Sequence, residues 1–454
     1  MAHIRAGDAY STGYISNLIT ELAGKRWYHS IELPDGSVIP GLLTLDQLRG
    51  NLAQFPVPAD LRGKRVLDIG AWDGWYSFEM ERRGAEVVAV DVVELDTLRT
   101  ARELRGSKIE FVLSDIYHLT PERLGRFDIV LCLGVLYHLK HPLLGLERVC
   151  ALSSDMAFIE SFVTDDGTDL AAPPVLEFYE TAELVGRFDN WSAPNTSCLL
   201  AFCRTAGFAR AQLTTVIDQR AHVVCGRHWP PPPAAPQWTA PEITGIVNDR
   251  TGDATFSSSV DDYLSIFFKA AQPSLARADV MPEIGGFGVL PMHVSECAGG
   301  GWQAACKVPP GTEPGLCGIR LRTSESAFSA AAHVMVDGVE PPASGAEPGG
   351  PLEIAAVADA QTWENDRVHA GRDRCVALWV RNLPVAASRR HLRASIGGRE
   401  AAVLFLSLPD VNGACQVNVR VPDGLAPGDY GIEVSYGAAS SLPAALRVIA
   451  ECGG

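Results

Sequence analysis

The first half of this chain alternates short, strongly apolar runs with helix-length amphipathic stretches, and that alternation leaves few folds open. Arg65–Ala71 (RVLDIGA) reads as a strand, and Trp75–Gly84 (WYSFEMERRG) as a helix ending on glycine. Ala85–Val93 (AEVVAVDVV) is the next strand and LDTLRTARELRG the next helix. IEFVLSDI, FDIVLCLGV and MAFIESFV follow as further strands. Strands this apolar need both faces covered, which predicts a parallel sheet flanked by helices, a doubly wound α/β domain.

Two breaks divide the rest. Pro230–Pro236 (PPPPAAP) cannot join a helix or a central strand and reads as a stiff spacer. Gly338–Leu352 is a Pro/Gly/Ala/Ser stretch. Linkers are therefore expected at 230–240 and 338–351. The segments 241–337 and 352–450 repeat each other: PEITGIVNDRT parallels LEIAAVADAQT, YLSIFFKA parallels CVALWVRN, and Gly285-Gly286 parallels Gly397-Gly398. WQAACKVPPGTEPGLCGIRLRT parallels CQVNVRVPDGLAPGDYGIEVSY. A nearly constant offset marks an internal duplication. Period-2 alternation between Pro/Gly turns predicts two all-β, immunoglobulin-like sandwiches. They resemble the IPT/TIG subgroup, mainly through VPDGLAPGDYGIEVS. Trp302, Trp363 and Trp379 read as core residues, with no aromatic binding stripe. Homodimerisation or substrate presentation is the expected role, ahead of direct glycan binding.

Composition excludes several classes. Hydrophobic residues make up 47% and charged residues 20%, which suits packed domains rather than a disordered chain. No apolar run is long enough to span a membrane, and the first residues lack a secretory h-region, so a cytoplasmic location is expected. The net charge of −16 argues against broad nucleic-acid binding. The 11 cysteines are scattered without a C-x-x-C pair and read as free thiols. No metal constellation appears; His138 and His141 lack a matching acidic or cysteine cluster.

The chemistry concentrates where the first strand ends. Asp68, Gly70 and Gly74 fit D-x-G-x-x-x-G between a strand and a helix, with Ala71 and Trp72 in the turn. Trp72 stands where a dinucleotide fingerprint needs its second glycine, so a pyrophosphate cradle is disfavoured. Asp91 ends the second strand, where an acid accepts from ribose hydroxyls. Asp115 follows the third strand, where it could accept from an adenine amino group or cap a helix.

Together these positions resemble the Rossmann-like class I S-adenosylmethionine methyltransferases, over residues 60–215. The resemblance implies S-adenosylmethionine as cofactor, held by Asp68, Gly70, Ala71, Trp72, Gly74, Asp91, Val92, Asp115, Ile116 and Leu133, in a domain spanning 61–229. Phe127–Leu143, AFIESFVTDDG and Asn190–Phe208 look like the tRNA wobble-uridine carboxymethyltransferases and their relatives, as does Arg26–Gly41. Those tRNA enzymes use carboxy-S-adenosylmethionine and carry basic residues for its extra carboxylate.

Methyl transfer needs mainly alignment, plus a base if the acceptor is a hydroxyl. His29, His138 and Glu160 are the candidate catalytic groups, each open to a purely structural role. Trp27, Tyr28, Tyr137, Trp191 and Asn195 are candidate acceptor-binding residues. Residues 1–60 are expected to cover the active site. The reading is a methyltransferase acting on a small polar metabolite or sugar. A tRNA carboxymethyltransferase and a non-catalytic scaffold are the alternatives.

Overall fold

A computed structural model describes residues 26–232, 239–249, 255–257, 262–297, 300–337, 350–360, 362–369, 374–384, 387, 392–409 and 413–449. Most of the expected linkers, and residues 1–25 of the N-terminal segment, lie outside the described residues. The chain divides into two units, Met1–Trp229 and Pro230–Gly454. Among the described residues, no helix is long and apolar enough to cross a membrane.

The first unit opens with a small hairpin, β1 (Ile31–Glu32) and β2 (Val38–Ile39), then α1 (Leu45–Leu52). Thr44 and Gln47 close a capping box on α1, each satisfying an otherwise orphaned N–H of its first turn. There follow β3 (Arg65–Ile69), α2 (Trp75–Arg82), β4 (Glu86–Asp91), α3 (Asp96–Arg105), β5 (Glu110–Leu113), α4 (Pro121–Leu124) and β6 (Phe127–Leu133). The unit ends with α5 (Pro142–Leu152), β7 (Ser153–Phe162), β8 (Leu176–Phe178), β9 (Ser192–Pro194), α6 (Thr196–Thr205), β10 (Arg210–Ile217) and β11 (Arg220–Gly226).

Seven of these strands form one sheet in the order β10-β11-β7-β6-β3-β4-β5. β3 to β7 are mutually parallel, while β11 runs antiparallel to β7 and β10 to β11. Successive residues of the parallel strands face opposite cores, as the apolar runs require: Leu67, Val88 and Val130 point into one, Val66, Val87 and Leu131 into the other. The second core is closed by α2, α3 and the N-terminal segment, through Trp27, Ile31, Ile39, Leu48, Leu52 and Phe55. Strand order reverses between β3 and β6. A crevice outside the carboxyl ends at such a switch point is where open α/β sheets bind ligands.

The second unit is almost entirely β. One four-stranded sheet orders Glu242–Asn248, Tyr263–Lys269, Trp302–Lys307 and His293–Glu296; another orders Glu353–Asp359, Cys375–Arg381, Ala414–Arg420 and Val403–Pro409. Each is accompanied by a second sheet in which a parallel edge pair joins antiparallel strands. The repetition extends to a shared register shift, between Ile243 and Gly245 in one copy and Ile354 and Ala356 in the other. Gly285-Gly286 and Gly397-Gly398 both adopt positive φ at equivalent hairpins. Each copy has its own apolar core, consistent with β-sandwich architecture.

Candidate functional site

The β3–α2 turn is shaped by its glycines. Gly70 has φ of 76° and Gly74, the N-cap of α2, φ of 87°. The space beside them is filled by the protein: a Cβ on Gly70 would meet Val135 Cγ2 at 2.5 Å, and one on Gly74 would meet Leu98 Cδ1 at 2.5 Å. These glycines therefore serve turn geometry and internal packing, beyond the ligand approach expected for them. Between them Trp72 also sits in the left-handed region, at φ 51°, with its side chain 42% exposed. Its N–H donates to Asp91 Oδ2 at 3.0 Å, and Val93 N–H reaches Asp91 Oδ1 at 3.4 Å. Burial raises the Asp91 carboxyl above its ordinary range, against the pull of these N–H donors.

Asp68 is buried and accepts from Ser77 Oγ at 2.6 Å. Burial, aided by the nearby Asp91, pushes its pKa up to about 6. Asp73, completely buried, has a role that the motif did not reveal. Its Oδ2 accepts from the N–H groups of Tyr28 at 2.7 Å and His29 at 2.9 Å, and its Oδ1 accepts from Thr97 Oγ1. One carboxylate thus ties the N-terminal segment and α3 to the glycine turn.

That tie places His29 and Tyr28 beside the turn. The Tyr28 ring lies 6.3 Å from that of Trp72, and the His29 ring 5.6 Å from that of Tyr76. His29 is 5% exposed, with Nδ1 buried and without a hydrogen-bond partner. Burial lowers its pKa to about 4 despite Asp73, so the ring is neutral near pH 7. Trp27 departs from expectation. It is 5% exposed within the apolar core, because the segment turns its large rings alternately inward and outward.

A second cluster stands at the ends of β6 and β7. Glu160 is buried, and Arg220, at the start of β11, meets it with Nε at 2.5 Å from Oε1 and Nη2 at 3.2 Å from Oε2. Arg220 Nη2 also donates to Tyr137 Oη at 2.9 Å, and its guanidinium lies 4.7 Å above the Tyr137 ring. Burial raises the Glu160 carboxyl against the pull of Arg220 and pushes Tyr137 up to about 12. Gly134, at φ 74°, lies against all three: a Cβ there would come within 3.3 Å of Tyr137 Oη and 3.4 Å of Arg220 Nη2. Glu160 is therefore an ion-paired anchor, which removes it as a free general base.

His138 is differently poised. Its Nδ1 donates to the Asp189 carbonyl at 2.9 Å, so in the neutral tautomer of this partly exposed ring Nε2 is the nitrogen able to accept a proton. Trp191 N–H donates to the Tyr137 carbonyl at 2.7 Å, and Lys140 Nζ sits 4.3 Å from the Trp191 ring centre. Asn195 has a structural task instead of the acceptor contact expected. Its Oδ1 accepts from Cys198 N–H and Val175 N–H, both at 3.0 Å, and its Nδ2 donates to Pro173 O. It caps α6 and clamps the preceding loop. Asp115 uses Oδ1 to cap a short 3-10 turn, accepting from Tyr117 N–H at 2.9 Å. Beside these acids Ala71 and Ile116 are buried, Leu133 is half-buried and Val92 is 68% exposed.

Arg220, Gly134, Asp73 and Tyr76 were not singled out from sequence. Arg220 follows a hairpin turn formed by Asp218 and Gln219, both at positive φ, which carries no glycine to announce it. A separate cleft of about 490 Å³ is lined by Thr164, Asp165, Asp166, Val216, Asp218 and Gln219, none of which belongs to the glycine turn. Among the described residues, no three metal-ligating side chains converge.

Residues 67–151 match a family described as "Methyltransferase domain". Among curated proteins, tRNA U34 carboxymethyltransferase of Pseudomonas aeruginosa is 33% identical over 177 residues, 36% of this chain and 52% of that protein. The Azotobacter vinelandii protein of the same name is 30% identical with the same coverage. The chain thus spans about half the length of the curated relatives it matches. Among solved structures, the N-terminal domain of EvdMO1 with SAH bound is 22% identical, with a TM-score of 0.37, over 49% of this chain and 99% of that one. The 1,6-didemethyltoxoflavin-N1-methyltransferase of Burkholderia thailandensis is also 22% identical, with a TM-score of 0.31, over 49% of this chain and 92% of that one.

Proposed function

We propose that the first unit is an S-adenosylmethionine-dependent methyltransferase acting on a hydroxyl of a small polar metabolite or sugar. The observation that carries this reading is the acid set at the switch point: Asp68, Asp73 and Asp91 are all buried around one glycine turn. Three acids repel a pyrophosphate, whereas they suit a ribose and a cationic sulfonium or ammonium group. The methyltransferase match over residues 67–151 supports the same class.

In this reading Asp91 accepts from the ribose hydroxyls and Asp115 from the adenine amino group. Ala71, Trp72, Val92, Ile116 and Leu133 line the nucleoside, with Asp68 behind the turn. The bound cofactor supplies an electrophilic methyl on sulfur. The chain's own task is to hold the acceptor in line and exclude water. His138 Nε2 takes the acceptor proton, with Nδ1–H fixed on Asp189. His29, neutral and held through its N–H by Asp73, stands enclosed behind Tyr28 and supports the acceptor side of the site, while Tyr28 and Tyr137 contact the acceptor. Trp191 covers the entrance. The two β modules are Ig-like, and dimerisation through them is compatible with this reading.

A second reading, carboxymethyl transfer to tRNA, is favoured by the 33% identity to such enzymes. Against it stand the net charge of −16 and the pairing of Arg220 with Glu160, which answers the guanidinium beside Tyr137 from within the chain. Calorimetric titration with S-adenosylmethionine and with its carboxylated analogue separates the two. Tight binding of the plain cofactor alone is expected. A preference for the carboxylated form would overturn the first reading, and binding of neither would leave a scaffold.

A further inference from the structure

We propose that the second β module carries a saccharide-binding platform built on Trp363 and Trp379. This site is independent of methyl transfer. Sequence reading placed both tryptophans in the core, but neither belongs to it, and Trp363 is 56% exposed.

The described residues around Trp363 are tied down by hydrogen bonds. Trp363 adopts φ of 60°, a left-handed conformation costly for a bulky residue. Such a conformation persists only where the surroundings over-determine it. Trp363 N–H donates to the carbonyl of Asp359 at 2.9 Å, and Asp359 N–H donates to the Glu364 carbonyl at 2.9 Å. The Asp359 carboxylate, 1% exposed, accepts from Thr362 N–H at 3.0 Å, and Asp366 N–H returns to the Val357 carbonyl. The ring is thereby held out to solvent.

Trp379 lies on Cys375–Arg381, whose alternate residues Val376, Leu378 and Val380 are fully buried in the module core; on its other face Ala377 is covered as well, while Trp379 is partly exposed. Period two therefore points Trp379 to the opposite face. The two indole rings are 6.2 Å apart and inclined by 49°. Across the sheet, Trp379 is flanked by the small, exposed Ala356 on one side and by Gln416 on the other. Gln416 Nε2 donates to Asn418 Oδ1 at 2.9 Å, leaving the remaining amide oxygen and N–H groups of the pair for another partner. At the rim Arg381 pairs with Glu353 at 3.4 Å, so the face offers no uncompensated charge there.

Aromatic faces beside neutral amides match a pyranose ring, which has an apolar C–H face and a rim of uncharged hydroxyls. Planes inclined by 49° suit a glycan whose successive rings turn, more than a flat chain. The first module serves as an internal control. Its register places Phe267 at the position of Trp379, Gln303 at that of Gln416 and Ala305 at that of Asn418. There Gln303 Nε2 donates to Ser265 Oγ at 2.6 Å, and Ala305 offers no second amide beside it. The duplicated sheet has kept its register, and at these positions only the second copy has an indole beside an amide pair.

The test is titration of the full-length protein with maltohexaose and with cellohexaose, read by tryptophan fluorescence and calorimetry. Maltohexaose should bind, and more tightly than cellohexaose. Trp363→Ala and, separately, Gln416→Ala should weaken that binding while the melting temperature and far-ultraviolet dichroism stay unchanged. For Trp363→Ala the loss should be about tenfold or more. The proposal is overturned if neither hexaose binds, if cellohexaose binds at least as well, or if both variants bind like the parent. It is also overturned if Trp363→Ala instead abolishes self-association in sedimentation, which would mark a protein-binding face.

Discussion

The carboxyl edge of the first unit's sheet and the outer face of the second β module present their functional groups in opposite physical ways. At the carboxyl edge the groups of the candidate site are buried and polar: Asp68, Asp73, Asp91, Glu160 and His29 are each at most 8% exposed. Burial without water makes each of them strong and expensive to leave unpaired, so each carboxylate is held by a named donor, and His29 is held through its N–H by Asp73. On the outer face the working group is an exposed indole on a sheet whose core lies elsewhere. At the edge, recognition and stability are therefore inseparable; on the face they separate cleanly.

The largest expected effect tests the edge without touching its fold. His138→Gln keeps a hydrogen-bonding side chain but removes the base, and methyl transfer to a hydroxyl acceptor should fall about 10²–10⁴-fold. Cofactor affinity should not change, which calorimetry checks; a variant that transfers at the parental rate removes His138 from the reaction. Next comes Gly70→Val, which forces a β-branched residue into φ of 76° against Val135. Cofactor affinity should drop about a hundredfold, near 2.7 kcal/mol, together with a lower melting temperature.

Asp73→Ala should couple stability and function most visibly. It orphans the Tyr28, His29 and Thr97 donors, and denaturant titration should show a loss of about 2–3 kcal/mol. Asp68→Asn should move stability the other way, and only above acidic pH. Its folded-state pKa of about 6 lies above the ordinary 3.8, so the native state holds the proton more tightly. Stability contributed by this group is present below about pH 4 and is lost as pH rises through 6. The asparagine variant should match the parent near pH 4 and exceed it at pH 7 by up to about 3 kcal/mol. Identical melting profiles across that range would show that Asp68 titrates normally. The smallest effect lies on the outer face of the first module. Phe267→Trp should leave melting temperature and maltohexaose binding unchanged, because an amide pair and a presented second ring are also needed.

Much of the first unit was legible because its strands are buried on both faces. Runs such as AEVVAVD then name themselves, and the acids closing them fall at the carboxyl edge by the direction of the chain alone. The hairpin of β10 and β11 was not legible. Its turn, Asp218-Gln219, takes positive φ without glycine, so Arg220 had no local mark. Asn195 was visible as a polar residue beside the site, yet as a helix cap it has a local hydrogen-bonding task; for Asp115 the cap was one of two readings the sequence left open. Glu160 ends a strand as expected, but its partner lies 60 residues away.

By itself the sequence determined the alternation that forces a covered parallel sheet, the glycine turn with its following acids, and the duplication of the β modules. These follow from period, spacing and composition, which are local properties of the chain. Tertiary structure alone decided that Asp73 fastens the N-terminal segment, that Arg220 cancels Glu160, and that Trp363 is held out to solvent while Trp27 is buried. Each of those outcomes depends on which distant groups share a space once the backbone has closed, and electrostatics and burial are set by that shared space.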